Sequence, residues 1–487
     1  MDIAAGAELA AVEMSRDWYR DPWGWPEITD TDWAGRDAGE TLGLRREDGG
    51  YRLPHPPYFH PIDVPKGRRG MRPAVVQDPL SRLAYLSAAR AASDTLHRDL
   101  PVWVYGWRSR GTGLAQGGTE WSNYVASFPR GDLGGSSSLR TDIASFFPST
   151  TLAHVDPLVR GRLDATTANV IADVVAAHHS LEGRSGLPQR SFASEILAHA
   201  VLRPVDEVLD AALDEGRIEA ARRWLDDISA EGTEDELPRV RRELQVRARH
   251  EGFELNDSKT RVGPVSGARF GLRRLDDVGR TDRLAGLELA VIERPTGFPK
   301  AVVQGVLLAL TKRGLFDRHA EWCGVAVDLP HVADDLSRYL RAAAEADPSR
   351  WAALGLWFAA QSAGVPGLPD WTVAQLSLIF PAEDLPAPVW TVVRAWLEKS
   401  VNLQQFSIAV HRAGTVDPTS CRRMLRARAD ATGDPLMLRT VALGLLMTGE
   451  DPRSVRDIVE RDPRNSLLLR WLRNHEWTAP DAARDFT

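Results

Sequence analysis

The chain has 487 residues, is 43% hydrophobic and carries a formal net charge of −7, which suits roughly two to four domains with a sizeable core and provides no overall basicity for holding a polyanion. No apolar run approaches the ~18–20 residues that cross a bilayer, so a membrane is not among the expected partners. The N-terminus places acids ahead of its first basic residue, unlike a secretory leader, and Cys323 and Cys421 stand far apart outside any CxxC or Cys/His cluster; both features point to a cytoplasmic protein without structural zinc or disulfides.

In chain order, residues 1–60 read as an irregular lead-in rich in Trp, Pro, Gly and Asp, with one short helix near the start. Charge then changes sign. Residues 1–50 carry twelve acids against five arginines, and residues 51–110 carry ten Lys/Arg against four acids. A basic segment inside an acidic chain is compatible with a polyanion site, although a solvated charged face explains charge alone at least as well. VPKGRRGMRPAVVQDPL predicts two short strands around a basic turn, and SRLAYLSAARAASDTLHRDL a helix. Residues 106–139 are loop-rich. SSLRTDIASFF predicts a short strand, helical runs follow, one of them over about 190–214, and RRWLDDISAEG alternates as a tight hairpin. Beyond about residue 285, segments such as AVVQGVLLALTKRGL, PHVADDLSRYLRAAAEA and LMLRTVALGLLMTG have helical apolar spacing punctuated by Gly, Pro and Asp. They suggest stacked helical hairpins of solenoid type, without a strict repeat period. The expected architecture is a lead-in over 1–60, an α+β region over 61–285 and an all-α domain over 286–487.

Chemistry concentrates in three carboxylates. Asp142 ends a strand-like run, in Thr141-Asp142-Ile143-Ala144-Ser145-Phe146-Phe147, and Asp226 and Asp227 sit at the tip of the expected hairpin. A lone Asp-Asp pair is ordinarily a solvated turn. On an apolar hairpin, adjacent carboxylates repel, and a divalent cation offsets that repulsion. Magnesium takes a few hard carboxylate oxygens and completes its shell with phosphate and water. Two such ions can activate a 3′-hydroxyl and stabilise a leaving pyrophosphate.

The ordered series around these acids resembles the reverse transcriptases, and within them the bacterial defence-associated and abortive-infection groups. A first block, D-I-x-x-F-F-x-S, is matched by Asp142-Ile143-Ala144-Ser145-Phe146-Phe147-Pro148-Ser149. A second is matched by Gly186-Leu187-Pro188-Gln189-Arg190, then Ser194 and the run EILAHAVLRPVDEVL. A third, aromatic-x-D-D, is Trp224-Leu225-Asp226-Asp227, and a fourth, L-N-x-x-K-T, is Leu255-Asn256-Asp257-Ser258-Lys259-Thr260. Upstream, Val64-Pro65-Lys66 to Arg72-Pro73, Asp78-Pro79 and Tyr105-Gly106-Trp107-Arg108 resemble the fingers segment of that family. The motifs cover about residues 60–262. Each is weak alone; their order is what is specific.

The resemblance implies a right-hand polymerase, with an antiparallel palm sheet, packed helices and fingers, that makes DNA from dNTPs on an RNA template or nearly without one. It implies that Asp142 and Asp226 bind both of two Mg²⁺ (or Mn²⁺) ions, that Ile143 adds a backbone carbonyl, and that Asp227 completes or tunes the site. Lys66 and Arg72 would meet the triphosphate, as point charge and planar fork respectively. Phe147 would stack under the sugar and clash with a 2′-hydroxyl, which requires the chain to bend after Ile143. Gln189 would line the nucleotide or template site. Lys259 is a candidate proton donor to pyrophosphate, or a charge that neutralises it. The family usually has glycine directly after the glutamine; Arg190 stands there instead.

The resemblance also implies anti-phage defence, with a non-coding RNA among the candidate templates. No V-T-G follows the fourth block, unlike retron enzymes, and the tail is not the basic thumb of intron enzymes. The helical half has three readings: a thumb and guiding wall, a homo-oligomer interface, or a source of protein priming, for which Tyr339 is the only tyrosine after Tyr124. The alternative from another class is a catalytically weak scaffold that binds RNA or a partner protein through that half. A metal role for His178-His179, a ribonuclease-like role for the pair Arg470 and His475, and a phosphate-loop role for GDLGGSSS are set aside.

Overall fold

A computed structural model of the chain describes residues 1–47, 49–110, 113–115, 117–128, 137–264, 281–363 and 367–474. These residues form a mixed α+β protein in which helices far outweigh strands. The strands among them are β1 (Arg45–Glu47), β2 (Gly50–Arg52), β3 (Phe59–Lys66), β4 (Gly70–Gln77), β5 (Val104–Tyr105), β6 (Ser137–Asp142), β7 (Ile218–Trp224), β8 (Asp227–Gly232) and β9 (Arg261–Pro264). His475 and residues 131–136 of the Gly/Ser-rich loop lie outside the described residues. Two compact units are present. The first gathers Met1–Arg16, Thr31–Phe59 and the described part of Pro79–Gly267; the second gathers Asp17–Asp30, His60–Asp78 and the described part of Ala268–Thr487.

The first unit is organised around a five-stranded sheet of order β5-β7-β8-β6-β9. β5 runs parallel to β7, and all other pairs are antiparallel. Nearly every residue of β6 and β8 is buried, as expected of central strands covered on both faces. Helix Leu237–His250 packs on β6 and β8, and helix Arg203–Asp214 packs on it and on β7. Away from the sheet, helix Pro79–Leu96 is buried over most of its length between helices Ile3–Ser15, Ala165–His179 and Phe192–Val201. Gly6 permits that approach, because a Cβ there would lie 2.0 Å from Ser87 Oγ. Arg82, which faces the first helix, is matched by buried Glu13 at 2.7 Å.

The loop-rich stretch 106–139 contains a helix that the sequence reading left out, Gly117–Ala126. Its Gly-Gly start and polar composition hide it. Long-range contacts stabilise it: Glu120 accepts two bonds of 2.9 Å from Arg110, and Trp121 and Tyr124 pack on Trp224.

In the second unit, β3 and β4 form the two-stranded hairpin expected around the basic turn, with Gly67 at φ +80°. Most of the described helices of this unit stack in two rows. Helices Lys300–Arg313, Ala333–Ala346, Asp370–Ser377, Leu403–Val416 and Pro435–Met447 pack successively on one another, while Arg350–Ala363, Ala387–Lys399 and Pro418–Ala431 form a second row. Leu403–Val416 and Pro435–Met447 are buried nearly all round, the signature of an inner layer. Three helices begin with Asp-Pro, at Asp417, Asp434 and Asp451, a spacing of 17 residues, and each aspartate accepts from backbone amides of its own first turn. Proline is pre-set for that position and the carboxylate caps the free donors.

Tyr339 is fully enclosed in this unit against Phe316 and Trp322, and burial holds its hydroxyl far above the usual phenol range. Priming from it would require its helix to open.

Candidate active site

β6 ends at Asp142, and the ladder places Asp142 directly opposite Asp227, the first residue of β8. β7 and β8 are joined by a two-residue turn, Leu225-Asp226, with Trp224 paired to Asp227. The carboxylates of the first and third blocks therefore share one sheet end, across one strand boundary. Leu225 has φ +53°, a conformation disfavoured by roughly 1–2 kcal/mol for a residue with a Cβ. Two backbone bonds clamp the end of β6. Ile143 donates to the Asp226 carbonyl at 3.3 Å, and Asn256 donates to the Asp142 carbonyl at 2.8 Å. Ile143 also bridges to Leu255, which brings the fourth block alongside the first.

Lys259 follows from that placement. Its own N–H and that of Thr260 return to the Asn256 carbonyl at 3.0 and 2.9 Å, closing a tight turn, and Thr260 Oγ1 meets Thr141 Oγ1 at 2.8 Å. The Lys259 ammonium donates to Asp142 Oδ2. Asp142 Oδ1 is buried and, among the described residues, has no hydrogen-bond partner. Burial, then Asp227 and Asp142, push the Asp226 carboxyl up to about 6 against the pull of Lys259. Asp227 is raised by burial and by Asp142, again opposed by Lys259. Burial depresses Lys259, but its bond to Asp142 and the three neighbouring carboxylates outweigh that and raise it.

Carboxylate oxygens are the donor type that hard divalent cations take, and Asp142 leaves one such oxygen open. Among the described residues, however, no three His, Cys, Asp or Glu side chains are closed into a metal-holding group; Lys259 takes the position of a counterion on Asp142.

The second block lies against the first. Gly186 has φ +66°, and a Cβ there would lie 2.1 Å from the Phe147 carbonyl oxygen. Leu187 donates to that same carbonyl at 2.9 Å. The bend needed after Ile143 occurs at Ser145, with φ +50°, and the chain then enters the short helix Phe146–Ser149. Phe146 is core, packed on Phe253, while Phe147 is half-buried. His178 accepts a structural role: one ring nitrogen lies 2.8 Å from the Gly186 carbonyl.

Gln189 is half-buried and Arg190 is exposed. Arg190 has φ +59°, so it adopts the left-handed conformation that glycine takes at no steric cost, and it donates to the Arg16 carbonyl at 2.7 Å. Lys66 and Arg72 belong to the second unit; Lys66 is exposed at the end of β3, and Arg72 lies over the Trp18 ring at 5.9 Å.

Two groups near the acids escaped the sequence reading. Glu195, one residue past the fully buried Ser194, is pushed up to about 8 by burial and by Glu13, with Asp226 adding to the rise and Arg190 opposing it. Arg223, immediately before Trp224, is fully enclosed and paired with the equally buried Asp206 at 2.6 Å. A signal for Arg223 existed. Side chains of consecutive strand residues leave opposite faces, so Arg222-Arg223 in one strand sends at least one guanidinium inward.

No family model and no curated protein matches the chain. Among solved structures, a chain described as "RdRp complex" is similar at 10% identity and a TM-score of 0.31, over 99% of this chain and 48% of that one. The present chain thus spans about half the length of that structure, and a likeness of this size carries no argument about activity.

Proposed function

We propose that the protein is a DNA polymerase of reverse-transcriptase type, in which the five-stranded sheet is the palm and the β3–β4 hairpin belongs to the fingers. The observation that carries this reading is the register of Asp142 opposite Asp227, with Asp226 on the adjoining turn and Lys259 bonded to Asp142. Nothing in folding calls for three acids at one sheet end, where burial and mutual repulsion disfavour the charges of Asp226 and Asp227.

Asp142 and Asp226 would hold two Mg²⁺ or Mn²⁺ ions, with Ile143 offering a carbonyl and Asp227 adjusting the charge. The bound ions supply Lewis-acid charge for nucleotidyl transfer. In that reaction the primer hydroxyl oxygen bonds to the α-phosphorus, the bond from that phosphorus to the bridging oxygen breaks, and pyrophosphate leaves. The hydroxyl proton passes to solvent. Lys259, which bonds to Asp142, would give a proton to the leaving pyrophosphate. Phe147 would select against a 2′-hydroxyl, Gln189 would line the nucleotide site, and Lys66 and Arg72 would meet the triphosphate. An RNA template and a role in phage defence belong to the same proposal and rest on the sequence resemblance.

A second reading, a catalytically weak scaffold that binds RNA or a partner through the helical unit, is favoured by two observations: Lys259 already pairs with Asp142, and no closed three-ligand group exists among the described residues. Incorporation of labelled dNTPs with Mg²⁺ or Mn²⁺, compared with an Asp226→Ala/Asp227→Ala variant, separates the two. Incorporation by the unmodified protein alone supports the polymerase; equal signal from both, or none from either, supports the scaffold.

A further inference from the structure

Arg222 and Arg223 are both buried on β7, and they are satisfied by different partners. Arg222 bonds to Glu231 at 2.7 Å and to the Ser127 carbonyl at 2.6 Å. Arg223 grips Asp206 of helix Arg203–Asp214 with two parallel bonds, of 2.6 and 2.7 Å. Its remaining terminal nitrogen donates to the Leu225 carbonyl at 2.9 Å and lies 3.4 Å from His199 Nδ1. Arg223, Asp206 and His199 are all fully buried.

The Leu225 carbonyl is the group that leads into Asp226, and Leu225 is the turn residue held at positive φ. A turn in a disfavoured conformation persists only where its surroundings determine it. Here the restraint is a planar fork, anchored on a helix and bonded to that carbonyl. A lysine could not supply both interactions. On the other side, the Asp226 carbonyl accepts from Ile143 at 3.3 Å. The turn is therefore tied at both of its central residues, from behind by Arg223 and from the β6 end by Ile143.

We propose that Arg223 is the positioning residue of the carboxylate site: through Asp206 and the Leu225 carbonyl it holds the left-handed turn that presents Asp226 beside Asp142. Its consequence for catalysis rests on the polymerase reading; the positioning itself does not.

The test replaces both buried partners by apolar groups, Arg223→Met/Asp206→Leu, since removing a buried ion pair as a pair is often tolerated where removing one member is not. Arg222→Met/Glu231→Leu, a buried pair joining the same strand to β8, is the matched control. Amide hydrogen exchange of residues 224–228 and of Ile143 reads the turn directly, and Mn²⁺ binding followed by electron paramagnetic resonance reads the site. The expected result is at least about tenfold faster exchange at these amides and about tenfold weaker Mn²⁺ binding in the Arg223 pair only, with kcat for dNTP incorporation reduced and KM within about twofold. Unchanged exchange at the turn, or the same acceleration in the control pair, overturns the proposal. Should the Arg223 pair fail to fold, Arg223→Lys keeps the charge and loses the fork, and turn exchange equal to that of the unmodified protein then overturns it. If the unmodified protein neither binds Mn²⁺ nor incorporates dNTPs, the polymerase reading fails while the exchange comparison still decides the role of Arg223.

Discussion

Lys259 donates to one carboxylate oxygen of Asp142 and leaves the other, Oδ1, buried and, among the described residues, without a hydrogen-bond partner. A half-satisfied buried carboxylate is unfavourable unless something else meets its open oxygen. Within the polymerase reading, Lys259 competes with cations for Asp142 before substrate arrives and serves the leaving group afterwards. Lys259→Met is expected to bind Mn²⁺ several-fold more tightly, yet to incorporate dNTPs roughly 100-fold more slowly. Metal titration and single-turnover kinetics check the two halves separately; weaker metal binding would show that Lys259 does not compete.

Asp226 gives a pH signature. Folding raises its carboxyl from 3.8 to about 6, so the unfolded chain releases this proton first. The stability of the metal-free protein should therefore fall as pH rises from about 4 to about 6 and stay low above that. Asp226→Asn removes the penalty and is expected to stabilise the metal-free protein by about 1–3 kcal/mol at neutral pH, while abolishing incorporation. Denaturation of both proteins at pH 4.5 and pH 7 tests this; a variant less stable than its parent at pH 7 refutes it.

Gly186 joins the first and second blocks. A Cβ would sit 2.1 Å from the Phe147 carbonyl, at φ +66°, and neither the backbone oxygen nor the turn can yield cheaply. Gly186→Ala should lose about 2–4 kcal/mol of stability in urea denaturation; a neutral substitution would mean that the two blocks do not touch in solution.

Phe147 follows the left-handed Ser145 and remains half-buried beside the core ring of Phe146. If it selects the sugar, Phe147→Ala lowers the dNTP-over-NTP preference by about tenfold or more, measured as a ratio of kcat/KM. Equal use of both sugars by the unmodified protein would remove Phe147 from that role.

In the helical unit, Arg439 is enclosed between Asp21 and Glu27, at 3.0 and 2.5 Å, with its guanidinium 4.2 Å from the Trp25 ring centre. Truncating one member of such a cluster strands the others. Arg439→Met is expected to destabilise the protein by about 3–5 kcal/mol in denaturant unfolding, without altering dNTP selectivity in whatever fraction remains folded.

Local pattern alone determined much about this chain. The alternation in RRWLDDISAEG, the run ending at Asp142 and the helical spacing beyond residue 285 are properties of neighbouring residues, and strands and helices follow from them. The Asp-Pro starts at Asp417, Asp434 and Asp451 were equally legible and passed unread, because helix boundaries, rather than whole repeats, carry their period. Other features were settled only by tertiary structure. Helix Gly117–Ala126 is held by Arg110 and by rings distant in sequence. That Asp142 stands opposite Asp227 depends on a strand register across 85 residues, and the matching of Arg223 with Asp206 depends on a helix crossing behind that sheet. Pairing and burial join residues that local propensity treats independently, so no spacing along the chain encodes them.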